Sequence, residues 1–503
     1  MIGFGQNVNI PDANFKAYLV NNTAINTNGD NEIQVSEASV FNGAINVSQL
    51  NITDLTGIEV FVTLDSLDCS GNGLLSLNVS ANTALTYLDC SHNEGGYWQG
   101  GAGGFNWVHI SYPILNFTGN TALTTLICSG NGLLSLNTTG LTALTYLDCS
   151  YNERGYWQNS PSGSFWVHIS YPILNFTGNA ALTYLNCSRN GMTSLTLSGF
   201  TALTSLNCEN NQLTSLDVSS FTALTYLDCT FNALTSLDVS TCTALTYLHC
   251  YNNQLTSLDV SANTALTTLS CSGNQLTSLD LSGCTALTNL FCGNNSLTSL
   301  DVSTCNALTY LDCYNNQLTS LDVSANTALT GLVCLNNSLT SLDVSQNTAL
   351  TQLNCFNNQL TSLDVRNGNN TNLTEFYSSN NLNLTCINVD DSTWSTANWT
   401  VANYNIDSQH YFSNNCSGAG ISDINESYSL MLYPNPTNGD FTITGLELLG
   451  TVSSLSLTDM NGKVVKVFDT KGTKFSMASI KPGVYFLNII SGNKQEVLKI
   501  VKE

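Results

Sequence analysis

Three sets of residues in this chain have the types and the spacing to do chemistry. The first is a file of cysteines at 69, 90, 128, 149, 187, 208, 229, 250, 271, 292, 313, 334 and 355. Thiolates bind soft metals and exchange disulfides. The second is a file of aspartates at 217, 238, 259, 280, 301, 322, 343 and 364, all within SLDV or SLDL. Stacked carboxylates can share hard cations, and a pair of them can cut a glycosidic bond. The third lies in NTNGDNEIQVSE, where Asn26, Asn28, Asp30, Glu32 and Glu37 stand at positions 1, 3, 5, 7 and 12 of the stretch, with Ile33 at position 8. Oxygen donors at alternate positions, closed by a distal carboxylate, suit Ca²⁺.

The elements that carry these residues follow from the cysteine steps. They are 21 residues, apart from two of 38. Self-similarity at such a period signals a solenoid, in which each copy buries its face only by stacking on its neighbours. In LTYLDCYNN, Leu308, Leu311, Cys313 and Asn316 follow the spacing LxxLxLxxN, with Cys in the third apolar slot. The alternation Leu-x-Cys has period two, so each copy supplies a short strand with Leu and Cys inward. Stacking at roughly 4.8 Å builds a parallel sheet and one continuous core. Asparagines three places after each cysteine, from Asn72 to Asn358, then form an inner ladder that can satisfy backbone groups where the chain leaves the strand. LTSLDVS echoes the same spacing and places a second extended segment on the opposite wall. The pattern resembles the 21-residue bacterial leucine-rich repeats with nested half-repeats, over about residues 60–382. That resemblance implies a mainly β repeat solenoid.

This architecture changes the reading of the first two sets. Cysteine in an apolar slot packs as a small hydrophobe, and in-register neighbours could bond only with strain. An aspartate that recurs in every repeat is scaffold, accepting hydrogen bonds from the following turn, against the alternative of shared cations. Nothing singles out an acid and a base, and no GxSxG, HExxH or P-loop is present, so the chain does not read as an enzyme. Off the ladder, Cys284 and Cys305 stand one repeat apart at the same position and are one candidate disulfide. Cys386 and Cys416 flank the end of the solenoid and are a second, as suits an exported protein.

Residues 1–62 read as an N-terminal cap with helical runs around the EF-hand-like loop. Two departures weaken that loop: Asn26 where Asp is usual, and Asn31 where Gly is usual. Its alternative is a solvated turn. No cofactor is required, and Ca²⁺ is the one ion the pattern suggests. The solenoid spans 63–382, a C-terminal cap 383–418 and a polar linker 419–430. Residues 431–503 alternate strands with NG and GN turns, as a small β-sandwich does. There YPNPTNGDF, DMNGK, GVYFL and KIVK resemble the type A C-terminal sorting domain of the type IX secretion system of Bacteroidetes. The resemblance implies the secretion machinery as a partner, export across the outer membrane and removal of the tail. It also implies release or attachment at the cell surface. An export signal peptide is expected upstream of MIGFGQ.

Charge narrows the partners. The net charge is -23, and only four of the twelve basic residues precede position 421. That disfavours nucleic acid and anionic membranes. No apolar run reaches the ~18 residues of a membrane span.

What differs between repeats carries the function. The two long steps hold copied insertions at 94–112 and 153–171, with Tyr97, Trp98 and Trp107 in one and Tyr156, Trp157 and Trp166 in the other. Insertions in a solenoid map to one face, and Trp and Tyr there suit a sugar or protein partner. The alternative is that these aromatics pack the insertions on each other. Outward strand positions also vary, with Tyr247, His249 and Tyr251 on one strand and Tyr310, Asp312 and Tyr314 on another. The leading expectation is a secreted, cell-surface binding protein or adhesin with a protein or glycan ligand. Its alternatives are a structural surface or matrix protein and, remotely, a glycan-processing enzyme.

Overall fold

A computed structural model describes residues 5–101, 104–111, 114–160, 163–416, 430–446, 451–460, 462–491 and 494–503. The chain forms two compact units, Met1–Cys416 and Ser417–Glu503.

In the first unit a parallel sheet of fifteen three-residue strands runs from Ala44–Asn46 to Glu375–Tyr377. The register is that of the repeat: Leu227 lies beside Leu248 and Asp228 beside His249. The central leucine of each strand and the following cysteine are buried in one continuous core. The sheet begins earlier than the expected boundary at 63, because Ile45 and Val47 fill the slots that Leu and Cys fill later. The opposite wall is less regular. It holds two-stranded ribbons, Ser76–Asn78 with Ile114–Asn116 and Ser135–Asn137 with Ile173–Asn175. It ends in a four-stranded sheet that includes Cys386–Asn388 and Tyr411–Ser413.

Asparagine holds the turn after each cysteine-bearing strand of the long sheet. Asn253 Nδ2 donates to the carbonyls of Cys229 at 3.0 Å and Cys250 at 3.1 Å, and its Oδ1 accepts from Leu234 N at 3.0 Å. One side chain therefore ties adjacent coils together. The preceding residue turns with positive φ, for example 53° at Asn252 and 51° at Asn294. Asparagine tolerates that conformation better than other side chains do.

The thirteen ladder cysteines are free and buried. Burial drives thiols such as Cys208, Cys250 and Cys292 well above their ordinary range, so they serve as packing groups. Cys284 and Cys305 are not bonded to each other, contrary to the pairing considered from the sequence. Both point into the core, and Cys284 Sγ lies 3.7 Å from the carbonyl of Val260. They occupy the corner slot that Asn263 and Asn326 fill elsewhere, where the side chain reaches back to its neighbouring coil. Cys386 and Cys416 do form a disulfide, across the last coil. There Trp399 stacks on Phe376 at 4.2 Å and Trp394 meets it edge-on, sealing the end of the core.

At the other end, the helix Ala13–Asn21 buries Phe15 and Leu19 and is capped by Asp12, which accepts from Asn14 N and Phe15 N. The second unit packs a three-stranded sheet, including Asp440–Thr444, and a four-stranded sheet, including Gly483–Ser491, around Phe441, Leu457, Leu487 and Ile489. Among the described residues no helix is long and apolar enough to cross a membrane.

Candidate functional site

On the outward face of the long sheet, the residues flanking each buried leucine line up in columns. Tyr146 and Tyr184 stack at 4.2 Å with their rings parallel. Further along, a cluster forms around Asp228, which is only 6% exposed. Tyr226 Oη donates to its Oδ2 at 3.4 Å, Thr230 N donates to its Oδ1 at 3.0 Å, and His249 Nδ1 lies 3.7 Å from Oδ2. Burial pushes this carboxyl up, but His249 and Thr230 outweigh it and hold it below the usual carboxylate range. Burial and the Asp228 charge push the Tyr226 hydroxyl up to about 12. Tyr247 lies 6.3 Å from Tyr226, and Tyr251 meets Phe231 edge-on at 5.1 Å. Arg189 lies over the Tyr151 ring at 4.9 Å, with Nε 3.6 Å from Glu209.

Tyr247, His249 and Tyr251 thus come together as the sequence suggested, but around residues it did not single out: Asp228, Phe231, Arg189 and Glu209. The signal was present. Asp228 and His249 are one period apart, so the register makes them neighbours.

A second group surrounds Asp312. Its strand is flanked by those of Phe291 and Val333, and its Oδ1 accepts from Tyr314 N at 3.3 Å. Tyr310 lies across Gly331 and Tyr314 across Gly293, where an added Cβ would come within 2.5 and 2.2 Å of the rings. Burial pushes the Asp312 carboxyl up to about 6. Because this value lies above the unfolded one, the protonated form is favoured by folding. Stability is present below about pH 4 and falls as pH rises through the folded value. Asp312→Asn is therefore expected to stabilise the protein at about pH 8 by on the order of 1 kcal/mol, roughly half the unscreened value. It should change little near pH 4. Thermal melts at the two pH values check this.

The insertions are antiparallel hairpins, Gly95–Gly101 with Gly104–Ser111 and Arg154–Ser160 with Gly163–Ser170. Trp98 is the register partner of Trp107 and Trp157 of Trp166, while Tyr97 and Tyr156 face Val108 and Val167. The strand Arg154–Ser160 lies beside Gly104–Ser111, so the hairpins are neighbours. The side chains of Tyr97, Trp98, Tyr156 and Trp157 lie outside the described residues. The Tyr247 strand is the fourth beyond the one that leads into the second hairpin, so the hairpins and the Asp228 cluster are separate places on the solenoid.

The loop 26–37 is knitted by its own hydrogen bonds. Asn26 Nδ2 donates to the carbonyls of Val20 and Asp30, and its Oδ1 accepts from Gly29 N. Asn28 Nδ2 donates to Asp30 Oδ2 and Gln34 Oε1, and Lys16 pairs with Glu32 at 2.6 Å. Glu37 accepts from Thr27 N, Asn28 N and Gln34 N. Burial pushes its carboxyl up, but these donors hold it below the usual range. Asn26 thus turns an amide nitrogen towards the loop carbonyls. Among the described residues no three His, Cys, Asp or Glu side chains are grouped to hold a metal.

The aspartate file does the turn work expected of it. Ser219 N donates to Asp217 Oδ1 at 3.0 Å, and the same bond recurs from Ser240 to Asp238 through Ser345 to Asp343. The Ser219 hydroxyl and N–H hold the Asp217 carboxyl below its ordinary range.

Residues 222–263 and 264–305 match leucine-rich repeats in two copies, and residues 431–503 match the secretion system C-terminal sorting domain. Among solved structures, the chain is similar to the functional domain of InlJ from Listeria monocytogenes, which includes a cysteine ladder. The two are 28% identical over 100% of both chains, with a TM-score of 0.55. It is also similar in fold to a leucine-rich repeat protein of Leptospira interrogans, 20% identical over 71% of this chain and 91% of that one, with a TM-score of 0.52. An internalin (inlF) of Listeria monocytogenes is 19% identical over 75% of this chain and 97% of that one, with a TM-score of 0.50. No curated protein matches the chain. The chain is a leucine-rich repeat solenoid protein. More particularly, it ends in a type IX secretion sorting domain, which indicates a Bacteroidetes source and export to the cell surface or beyond.

Proposed function

We propose that this is a secreted surface protein that binds a protein ligand on the outward face of its long sheet, around Tyr226, Asp228, Tyr247, His249 and Tyr251. The observation that carries the reading is the buried, hydrogen-bonded Asp228 carboxylate ringed by aromatic side chains on the outward face of the sheet. Aromatic residues with polar tips around a desolvated charge are the makings of a binding hot spot. Protein suits this face better than sugar. A sugar stacks on an open ring face, whereas the rings of this cluster pack edge to face on one another, Tyr226 with His249 and Tyr251 with Phe231. The scaffold aspartates are occupied by their turns, so the reading includes no catalytic step. Adhesion follows from the surface address together with a ligand.

The test presents the full chain to a protein extract of neighbouring-cell surfaces and to a glycan array. It compares wild type with Tyr247→Ala/Tyr251→Ala and with Trp98→Ala/Trp157→Ala. The expected result is protein binding weakened roughly a hundredfold or more by the first pair, since one hot-spot loss costs about 2 kcal/mol and two in contact add less than fully. Glycan binding lost only in the second pair would move the site to the hairpins. No binding by wild type would favour a structural surface or matrix role.

Calcium at the loop 26–37 is a separate proposal, supported by the carboxylates of Asp30 and Glu37. The ion would have to take Glu37 from its backbone donors. Chelation in the same experiment tests it: a loss of binding that Asp30→Ala reproduces assigns calcium, and unchanged binding and melting leave a hydrogen-bonded cap.

A further inference from the structure

The wall opposite the long sheet changes character along its length. In later repeats the two residues before its central leucine are exposed Thr and Ser, such as Thr214 and Ser215, and the residue after it is Asp. In the early repeats those places hold Leu75, Ile114, Leu134 and Ile173, which are 60%, 75%, 57% and 75% exposed. They form two pairs. Ile114 N donates to the Leu75 carbonyl, and Ile173 N to that of Leu134, one pair on each two-stranded ribbon. Between the ribbons lies a groove of about 410 Å³ floored by Leu115, Phe117, Leu136 and Leu141.

The charged column changes over the same span. The slot of Asp217 is held by Asn78, Asn116, Asn137 and Asn175. These asparagines make the same turn: Ser80 N donates to Asn78 Oδ1 at 3.1 Å, and Thr118, Thr139 and Thr177 N donate to their partners at 3.0 Å. The turn needs an acceptor, not a charge. The loss of the carboxylates is therefore no demand of the fold.

We infer that this apolar, uncharged stretch of wall, from Leu75 to Asn175, is where a second copy of the chain docks. Four exposed aliphatics side by side depart from the scattered exposure that needs no explanation. Charge selects the occupant. A cationic partner would gain from aspartates, and a neutral one would gain from their removal only the avoided desolvation of carboxylates. An acidic partner gains from their removal, since like charges across an interface are strongly unfavourable. This chain, at net charge -23, is such a partner. The patch also presents its Leu–Ile pair twice, so the first ribbon of one copy can face the second ribbon of the other, as an isologous contact requires.

Sedimentation velocity of the full chain over a dilution series, at low and high salt, tests this. The expected result is a reversible monomer–dimer equilibrium. Ile114→Ser/Ile173→Ser, which restores the residue of the later repeats, is expected to weaken the dimer roughly tenfold or more. Asn116→Asp/Asn175→Asp is expected to weaken it by a similar factor at low salt and by less at high salt, because exposed charges are screened. Asp238→Asn/Asp259→Asn, on the acidic stretch of the same wall, should leave it unchanged. All these side chains recur at equivalent places elsewhere in the solenoid, and unchanged melting curves confirm folding. A chain that stays monomeric at every concentration, or a dimer indifferent to both early-wall pairs, overturns the inference.

Discussion

Asn253→Ala is expected to destabilise the solenoid by about 2–3 kcal/mol, the cost of stranding one buried backbone N–H and of taking one donor from each of two buried carbonyls. The side chain serves the carbonyls of Cys229 and Cys250 and the N–H of Leu234. Alanine leaves Leu234 N–H without a partner, while the carbonyls of Cys229 and Cys250 each keep one donor, Asn232 Nδ2 and Asn274 Nδ2. The groups belong to two successive coils, so the loss falls on the interface between neighbours, the term on which cooperative folding of a repeat array depends. Denaturant unfolding should show an earlier midpoint, and a shoulder if the array splits at that interface. Asn253→Asp sharpens the test. It keeps the acceptor for Leu234 N, removes both donors and places a charge beside two carbonyls, so it should be at least as harmful. A loss below about 1 kcal/mol in both variants would mean that the asparagine ladder is ornament to the leucine core.

The second large effect is at the other end of the coil stack. Loss of the Cys386–Cys416 disulfide, by Cys416→Ser or by reduction, is expected to cost about 3–4 kcal/mol. The bond closes a loop with a sequence separation of 30, and the chain-entropy relation sets the scale. Its effect should be local. The loop contains Trp394 and Trp399, which cover Phe376 and the last coil. Hydrogen exchange should rise across residues 386–413 and stay slow in the central repeats. The ladder cysteines give an internal control, since they are buried and free and should remain unreactive to a thiol reagent after reduction. Uniform destabilisation, with the ladder thiols reacting as fast as the cap, would show that the cap is needed for the whole array.

Both predictions concern features legible in the order of the residues. Leu308, Leu311, Cys313 and Asn316 repeat with few departures, and a pattern seen that often leaves little room for another fold. The turn role of the aspartates was legible for the same reason, and so was the tail, whose motifs fall in order. Less was legible where one copy departs from the rest. Ile45 and Val47 already fill the strand slots, but they lack the cysteine that marks the period, so the first strand reads as part of the cap. Cys284 and Cys305 share a column, yet direction at a corner decides whether two thiols meet, and these turn into the core.

By itself, then, the sequence determined the architecture of this protein. Period-two alternation inside a 21-residue period puts Leu and Cys inward, a stack of such units must bury them against one another, and an asparagine must serve the turn. The tertiary structure decided which side chains are buried and which meet on the surface. The register already makes Asp228 and His249 neighbours, but the burial of that carboxylate and its bond from Tyr226 are products of packing. The same holds for the wall at Leu75, Ile114, Leu134 and Ile173. As letters they are ordinary apolar residues, and only their exposure, side by side on uncharged ribbons, makes them a surface. Burial and exposure are properties of the packed chain, because they depend on what lies across from a side chain and not on what precedes it.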